Sequence, residues 1–310
     1  FVIIIFFLPS LIFFRNKLKY YLIPLFIVLI FSNYFYGSYK INSKKIDETI
    51  GDVNFKIVTA GIDLSEFKDQ KLVLSKLIKI SEPKKDQKTI FIWPEGVILD
   101  YNFENLVESK KMIKENFSKN HLIILGANTK NTINSTTNYF NSLLVIDEDF
   151  NIIGQYNKQK LVPFGEFLPF EQVLKKIGLK RVTSGYQSFS KGKKNSLITF
   201  DFDGQNLKIL PLICYEIIFP HLLENKKSDF NFVINISEDA WFGDTIGPHQ
   251  HFVKAIFRSI ETGSYTIRSA NKGISAFISP EGKILKVLKS NEFGNIEMNL
   301  PVLKSKKIDV

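Results

Sequence analysis

The stretch Leu207-Lys208-Ile209-Leu210-Pro211-Leu212-Ile213-Cys214-Tyr215-Glu216 decides how this chain is read. Leu207 to Ile213 is an apolar run of strand length, and a helix is expected to begin near Tyr215. Cys214, the sole cysteine, falls on the junction. Backbone N–H groups of a helical first turn aim at such a position and stabilise a thiolate or a nearby oxyanion. A buried core cysteine fits the same ten residues equally well, because free Cys is among the most buried residue types. Glu216, two residues on, and motifs upstream tilt the reading toward chemistry.

Outward from this junction the pattern alternates between strand and helix. Upstream, Phe55 to Ala60, Thr89 to Trp93 and His121 to Gly126 read as strands, and Leu64 to Ile80 and Phe103 to Phe117 as helices. Phe140 to Ile146 and Ile152 to Tyr156 form a strand pair, and Phe170 to Ile177 is expected to be helical. Leu197 to Phe202 and Leu207 to Leu212 make a hairpin through Asp203-Gly204. Downstream come a strand at Phe230 to Ile236, a helix at His249 to Thr262, and strands at Tyr265 to Arg268, Ile274 to Ser279 and Ile284 to Leu288. Interleaved elements of this kind specify an α/β layered domain.

The N-terminal part is different. Phe1 to Phe14 is apolar but shorter than the roughly 20 residues that cross a bilayer, which predicts that its helix begins upstream of Phe1. Arg15, Lys17 and Lys19 make a basic turn, and Tyr20 to Tyr36 is a second apolar run with Tyr at both ends. A signal peptide's hydrophobic segment is the competing reading. Two runs around a charged turn, without a small-residue cleavage site, favour a transmembrane hairpin. Lys40, Lys44 and Lys45 balance the basic turn, so charge gives no orientation. The expected organisation is a membrane hairpin over 1–40, a connector over 41–54, a catalytic domain over 55–300 and a polar tail over 301–310.

Composition narrows the function classes. The 310 residues carry a net charge of +10, with 45% hydrophobic residues and 29 Phe. A basic chain suits nucleic acid or an anionic membrane surface, but no nucleic-acid motif or dense Arg cluster is present. One cysteine excludes an internal disulfide framework and a Cys-based metal site, and the four His form no zinc motif. No metal or cofactor is expected.

Two further segments carry candidate chemistry. Trp93-Pro94-Glu95-Gly96 ends a strand, which places Glu95 at the C-terminal edge where α/β proteins put their sites. A carboxyl group beside apolar walls there can serve as a general base; an exposed turn glutamate is the plainer alternative. Tyr156-Asn157-Lys158-Gln159-Lys160 leads into Leu161-Val162-Pro163-Phe164-Gly165-Glu166. A lysine near a thiolate stabilises its charge and a later oxyanion; otherwise Lys158 and Lys160 are two surface lysines among many.

A strand-end Glu, a later Lys and a later Cys-Tyr-Glu together resemble the nitrilase superfamily of carbon–nitrogen hydrolases. Within it the chain resembles the apolipoprotein N-acyltransferase family. The matching segments are Trp93 to Glu95, Tyr156 to Pro169, Pro211 to Pro220, and Asn235 to Gly273. The last includes Asp239-Ala240-Trp241-Phe242-Gly243, Ile246-Gly247-Pro248, His249-Gln250-His251, Arg258, Glu261, Gly263, Arg268, Asn271 and Gly273. Each segment alone is a weak signal; four in order, spread over Lys56 to Glu297, are not.

The resemblance implies an α-β-β-α sandwich preceded by transmembrane helices, with Glu95 as base, Lys158 as oxyanion stabiliser and Cys214 as nucleophile. Lys158 is preferred to Lys160 by its distance from Gly165-Glu166. Glu166 and Glu216 match supporting glutamates, and the Tyr215 N–H is a candidate oxyanion donor. Phe167, Trp241 and Phe242 are expected on loops that meet substrate and membrane. The implied partners are a phospholipid acyl donor and a diacylglyceryl-apolipoprotein acceptor, handled by a monomer of a bacterial inner membrane. There it would be multi-pass, with the catalytic domain on the periplasmic side. Glu238 departs from the family's usual Asn and Ser264 from a common Arg, which leaves acceptor details open. The family also carries more helices before Phe1 and one after the domain, so a fragment is expected. Two other readings stay open: a membrane-tethered amidase using water as acceptor, and an inactive scaffold serving as a binding module.

Overall fold

In the computed structural model the residues described are 13, 17–42, 49–102, 106–169, 188–194, 197–224 and 230–303. The chain divides into two compact units, Phe1–Ile46 and Asp47–Val310. In the first, helix α1 (Lys19–Asn42) contains Lys19–Ile41, a stretch long and apolar enough to cross a membrane. Its apolar side chains, among them Leu25, Phe31 and Phe35, are exposed. Of the apolar run before it, residue 13 alone is among the described residues.

The second unit is built from two six-stranded sheets. One has the order β12-β1-β2-β3-β4-β5, the other β11-β10-β9-β8-β7-β6. The first holds β1 (Thr49–Thr59), β2 (Thr89–Ile92), β3 (His121–Ile133), β4 (Thr136–Ile146), β5 (Ile152–Asn157) and β12 (Gly294–Leu303). The second holds β6 (Ile198–Phe202), β7 (Gln205–Ile213), β8 (Phe232–Glu238), β9 (Tyr265–Asn271), β10 (Ser275–Ile278) and β11 (Ile284–Leu288). In each sheet three central strands run parallel, β1-β2-β3 and β7-β8-β9, with antiparallel neighbours outside.

Alternation of side chains across each strand explains the layering. Phe55, Ile57, Ile90 and Ile92 from one sheet and Leu207, Ile209, Ile213, Phe232 and Ile234 from the other form the shared inner core. The rings of Phe55 and Phe232 meet edge to face across it, with centroids 4.9 Å apart. Opposite faces of the same strands bury Val58, Phe91 and Trp93 under α2 (Gln70–Ser81) and α3 (Val107–Asn116). On the far side Leu210, Leu212 and Val233 pack against Phe252 and Ala255 of α4 (Gly247–Thr262). The result is the expected four-layer α-β-β-α sandwich.

Several local expectations shift. The segment 64–80 splits into a short 3-10 turn, Glu66–Lys68, and α2, because the Asp69 side chain accepts from the Leu72 N–H and caps the helix there. The helix near Tyr215 is only a 3-10 turn, Cys214–Ile218, followed by one helical turn at His221–Glu224. Strand β12 has no counterpart in the sequence reading; it pairs antiparallel with the edge of β1. The helix expected over Phe170 to Ile177 lies outside the described residues.

Candidate active site

The candidate side chains stand at strand ends of both sheets. Glu95 follows β2, Cys214 follows β7, Glu238 ends β8 with Asp239 just after it, and Lys158 directly follows β5. Placing Glu95 requires an unusually close approach. The loop Glu95-Gly96 lies on Gly126 of β3, where an added Cβ would come within 2.5 Å of the Glu95 Cα and the Gly96 nitrogen. Pro94 O accepts from the Gly126 N–H at 3.0 Å, which locks the loop onto the strand.

Around Glu95 the polar groups converge. Its Oε1 accepts from Asn141 Nδ2 at 2.7 Å and from Lys158 Nζ at 3.3 Å, and its Oε2 from the Glu238 N–H at 3.0 Å. Lys158 Nζ also donates to Glu166 Oε1 at 2.9 Å, and the same Asn141 amide reaches that oxygen at 2.7 Å. Glu166 is anchored in turn by the Val162 N–H at 2.8 Å. Lys158 is 1% exposed. Burial alone would lower its pKa, but the carboxylates of Glu166 and then Glu95 hold it well above the ordinary range. Lys158 therefore stays charged, a fixed cation in a dry site. Lys160 points elsewhere, its ammonium 5.8 Å from the Phe219 ring.

Cys214 has φ 47°, a left-handed conformation that is strained for a residue with a Cβ. Such strain persists only where surroundings over-determine it, and Glu216 is one determinant. Its buried carboxylate accepts from the Ile213 N–H at 2.9 Å, the Gln159 N–H at 2.7 Å and the Lys160 N–H at 3.0 Å, as well as from the Tyr156 hydroxyl. One side chain thus clips the strand end bearing Cys214 to the segment bearing Lys158. Burial pushes the Glu216 pKa up, and those backbone donors oppose the rise. The thiol's pKa is raised too, first by desolvation and then by the charge of Glu95, with Lys158 and Ser237 opposing. The residue as a whole is half-buried, and the raised pKa keeps its thiol protonated at neutral pH.

The Tyr215 ring packs edge-on against Phe219, centroids 4.8 Å apart. Of the loop aromatics, Trp241 is 60% exposed, Phe242 is partly exposed, and Phe167 is half-buried with Lys191 6.0 Å from its ring. Glu238 is buried, and its carboxyl accepts from the Ala240 N–H and from Asn271 Nδ2. Ser264 is buried just past the C-terminus of α4.

Sequence reasoning missed Asn141, which joins Glu95 to Glu166. It also missed the roles of Tyr156 and of the Asp239–His251–Arg268 cluster behind Cys214. The signal for the last was present: Arg268 stands alone between Ile267 and Ser269 in a buried strand, which demands a charged partner.

A buried carboxylate–lysine pair stands beside a strained cysteine at the strand ends of a four-layer sandwich, the grouping that thiol acyl-transfer chemistry requires. The carbon-nitrogen hydrolase family model matches residues 60–301, and the chain belongs to that family. Within it, the chain is similar to the apolipoprotein N-acyltransferase of Rhizobium rhizogenes, 32% identical over 93% of this chain and 55% of that protein. The enzyme of the same name from Rhizobium leguminosarum bv. trifolii is 39% identical over 67% of this chain and 39% of its own. The chain thus spans about half the length of the curated relatives it matches. Among solved structures, Nit3 of Saccharomyces cerevisiae, a nitrilase superfamily member, superposes with a TM-score of 0.56. It shares 16% identity over 83% of this chain and 92% of its own, a likeness of fold.

Proposed function

We propose that the chain is the catalytic part of an apolipoprotein N-acyltransferase, moving an acyl chain from a phospholipid to a lipoprotein's N-terminal amine. The observation that carries this reading is the Glu95–Lys158–Glu166 cluster beside the strained Cys214, in a chain whose named relatives are apolipoprotein N-acyltransferases. Glu95 takes the Cys214 proton as sulfur attacks the donor's ester carbonyl. The resulting oxyanion sits between Lys158 and the Tyr215 N–H. Collapse breaks the ester C–O bond, Glu95 returns the proton to the leaving lysophospholipid alkoxide, and an acyl thioester remains on Cys214. The amine of a diacylglyceryl-cysteine then attacks the thioester, Glu95 takes its proton, and the thiol is regenerated as the amide leaves.

The membrane setting belongs to the same reading. Helix α1 would be one of several spans in a bacterial inner membrane, preceded by the first apolar run, with the catalytic unit on the periplasmic side and working as a monomer. Exposed Trp241 and Phe242, with Phe167, would face the bilayer and admit the donor chain. Phe170, Lys175, Lys176 and Lys180, which the sequence suggests for the same role, lie outside the described residues.

The test is acyl transfer itself. The detergent-solubilised protein is given phospholipid and a peptide whose N-terminal cysteine carries a diacylglyceryl group. The peptide should gain one acyl chain on its amine, and none with Cys214→Ser. An unmodified peptide alongside hydrolysis of short amides would instead establish an amidase.

A further inference from the structure

Behind the nucleophile lies a buried polar cluster that the acyl-transfer chemistry above leaves unused. Asp239 Oδ1 accepts from Ser237 Oγ at 2.6 Å and lies 3.0 Å from His251 Nδ1; its Oδ2 accepts from Arg268 Nη2 at 2.7 Å. Arg268, fully buried, also donates to the carbonyl of Ile274 at 3.2 Å and to the side chain of Asn235. Gly273 makes room for this pair, since a Cβ there would sit 2.2 Å from Asp239 Oδ2. On the outer side the Phe242 ring meets the His251 ring, centroids 5.6 Å apart, and screens it from solvent. The other ring nitrogen, Nε2, is 3.1 Å from the carbonyl oxygen of Cys214.

That last contact matters because a peptide unit is rigid. The Cys214 carbonyl and the Tyr215 N–H belong to one planar trans peptide, so they point in opposite directions. Whatever holds the carbonyl on one side aims the N–H to the other. We infer that His251 is a positioning residue for the oxyanion donor: its Nε2–H, held on the Cys214 carbonyl, turns the Tyr215 N–H toward the reacting centre. The surrounding cluster fixes the ring that carries this donor. A protonated ring donates from Nδ1 to Asp239 and from Nε2 to Cys214. Asp239, whose pKa is lowered to about 2 chiefly because the Arg268 charge overcomes its burial, stays ionised throughout. The strained φ of Cys214 makes the support necessary, because an unheld peptide there relaxes toward the commoner backbone wells.

The inference rests on Cys214 forming a tetrahedral intermediate, as proposed above, but not on the identity of donor or acceptor. Its test uses two reactions of the same thiol in the detergent-solubilised protein. Alkylation by iodoacetamide is a displacement that makes no oxyanion; acylation by p-nitrophenyl butyrate makes one. In His251→Asn the amide can serve Asp239 but falls short of the Cys214 carbonyl, whereas in His251→Gln it reaches the position of Nε2. His251→Asn should acylate about 100-fold more slowly than the parent, the loss typical of one oxyanion donor, while alkylating at the parental rate. His251→Gln should recover acylation to within about tenfold. Parental acylation in His251→Asn, an equal fall of acylation and alkylation in folded protein, or no recovery in His251→Gln would each overturn the inference. So would a parental protein that the ester does not acylate at all. Should His251→Asn fail to fold, His251→Gln against the parent decides: acylation within tenfold supports the role, and a larger loss overturns it. Failure of lipid-to-peptide transfer with normal ester acylation would strike the proposed function and leave this inference standing.

Discussion

Replacing Gly126 with alanine tests how tightly the fold sets the position of Glu95. The added Cβ would lie 2.5 Å from the Glu95 Cα and from the Gly96 nitrogen, both backbone atoms. Unstrained carbon contacts lie at about 3.5 to 4.0 Å, so the loop must retreat by roughly 1 Å. No flexible side-chain end is available to give way. A shift of that size would pull Glu95 from Lys158 and from the Glu238 N–H, now 3.3 and 3.0 Å away. Misplacing a catalytic group by about 1 Å can cost around 100-fold in rate, and overpacking a core costs about 1 to 3 kcal/mol. Gly126→Ala should therefore lower turnover about 100-fold, slow alkylation of Cys214 at neutral pH, and lower the melting temperature. Gly204→Ala is the contrast. Gly204 has φ 73° in the β6–β7 turn with open space around it, so that variant loses about 1 kcal/mol and keeps its activity. Parental turnover in Gly126→Ala would refute the reasoning, and so would an activity loss that merely tracks unfolding.

Two more predictions follow from the charged groups. Lys158→Met should abolish turnover by removing the buried cation from Glu95 and Glu166, whereas Lys160→Met should leave it nearly intact; the reverse pattern in a steady-state transfer assay would put the cation on the wrong lysine. The Glu238 pKa is raised well above its ordinary value of 4.5, by burial first, with the charges of Glu95 and Asp239 adding. Its folded pKa is raised, so the stability it contributes is complete below 4.5 and is lost as pH rises through the folded value. Glu238→Gln removes that loss and keeps the backbone N–H on Glu95, so its melting temperature should gain on the parent's between about pH 5 and pH 8. Parallel melting curves across that range would show that the folded pKa is not raised.

Much of this architecture is legible in the sequence because its strands are short, apolar and punctuated by turn residues. Asp203-Gly204 marks the hairpin before the nucleophile, and both residues adopt the positive φ that such a turn requires. Strand β12 escaped notice because Pro301 and the polar Asn295, Glu297 and Asn299 dilute it. Yet Ile296, Met298, Leu300 and Val302 alternate along it, as an edge strand should. The helix expected after Cys214 is a 3-10 turn, because Glu216 spends its carboxylate on three backbone N–H groups from two segments. Glu95, Lys158 and Cys214 stand out through their positions at strand ends, and Glu166 through the resemblance alone. Asn141 and His251 do not, since a polar residue inside a strand or helix gains meaning only from what the fold brings opposite it.

The central claim is that Cys214 carries an acyl chain between donor and acceptor. With phospholipid present and the amine acceptor withheld, intact-mass analysis of the membrane-embedded protein reads that state directly. Cys214 is the sole thiol in the sequence, so a thioester has one possible position. The account predicts a mass gain of one acyl chain that neutral hydroxylamine removes, that is absent in Cys214→Ser, and that discharges onto a diacylglyceryl-cysteine peptide when one is added. A protein that transfers acyl chains to the peptide without ever carrying one on Cys214, or that never acylates either, would contradict it.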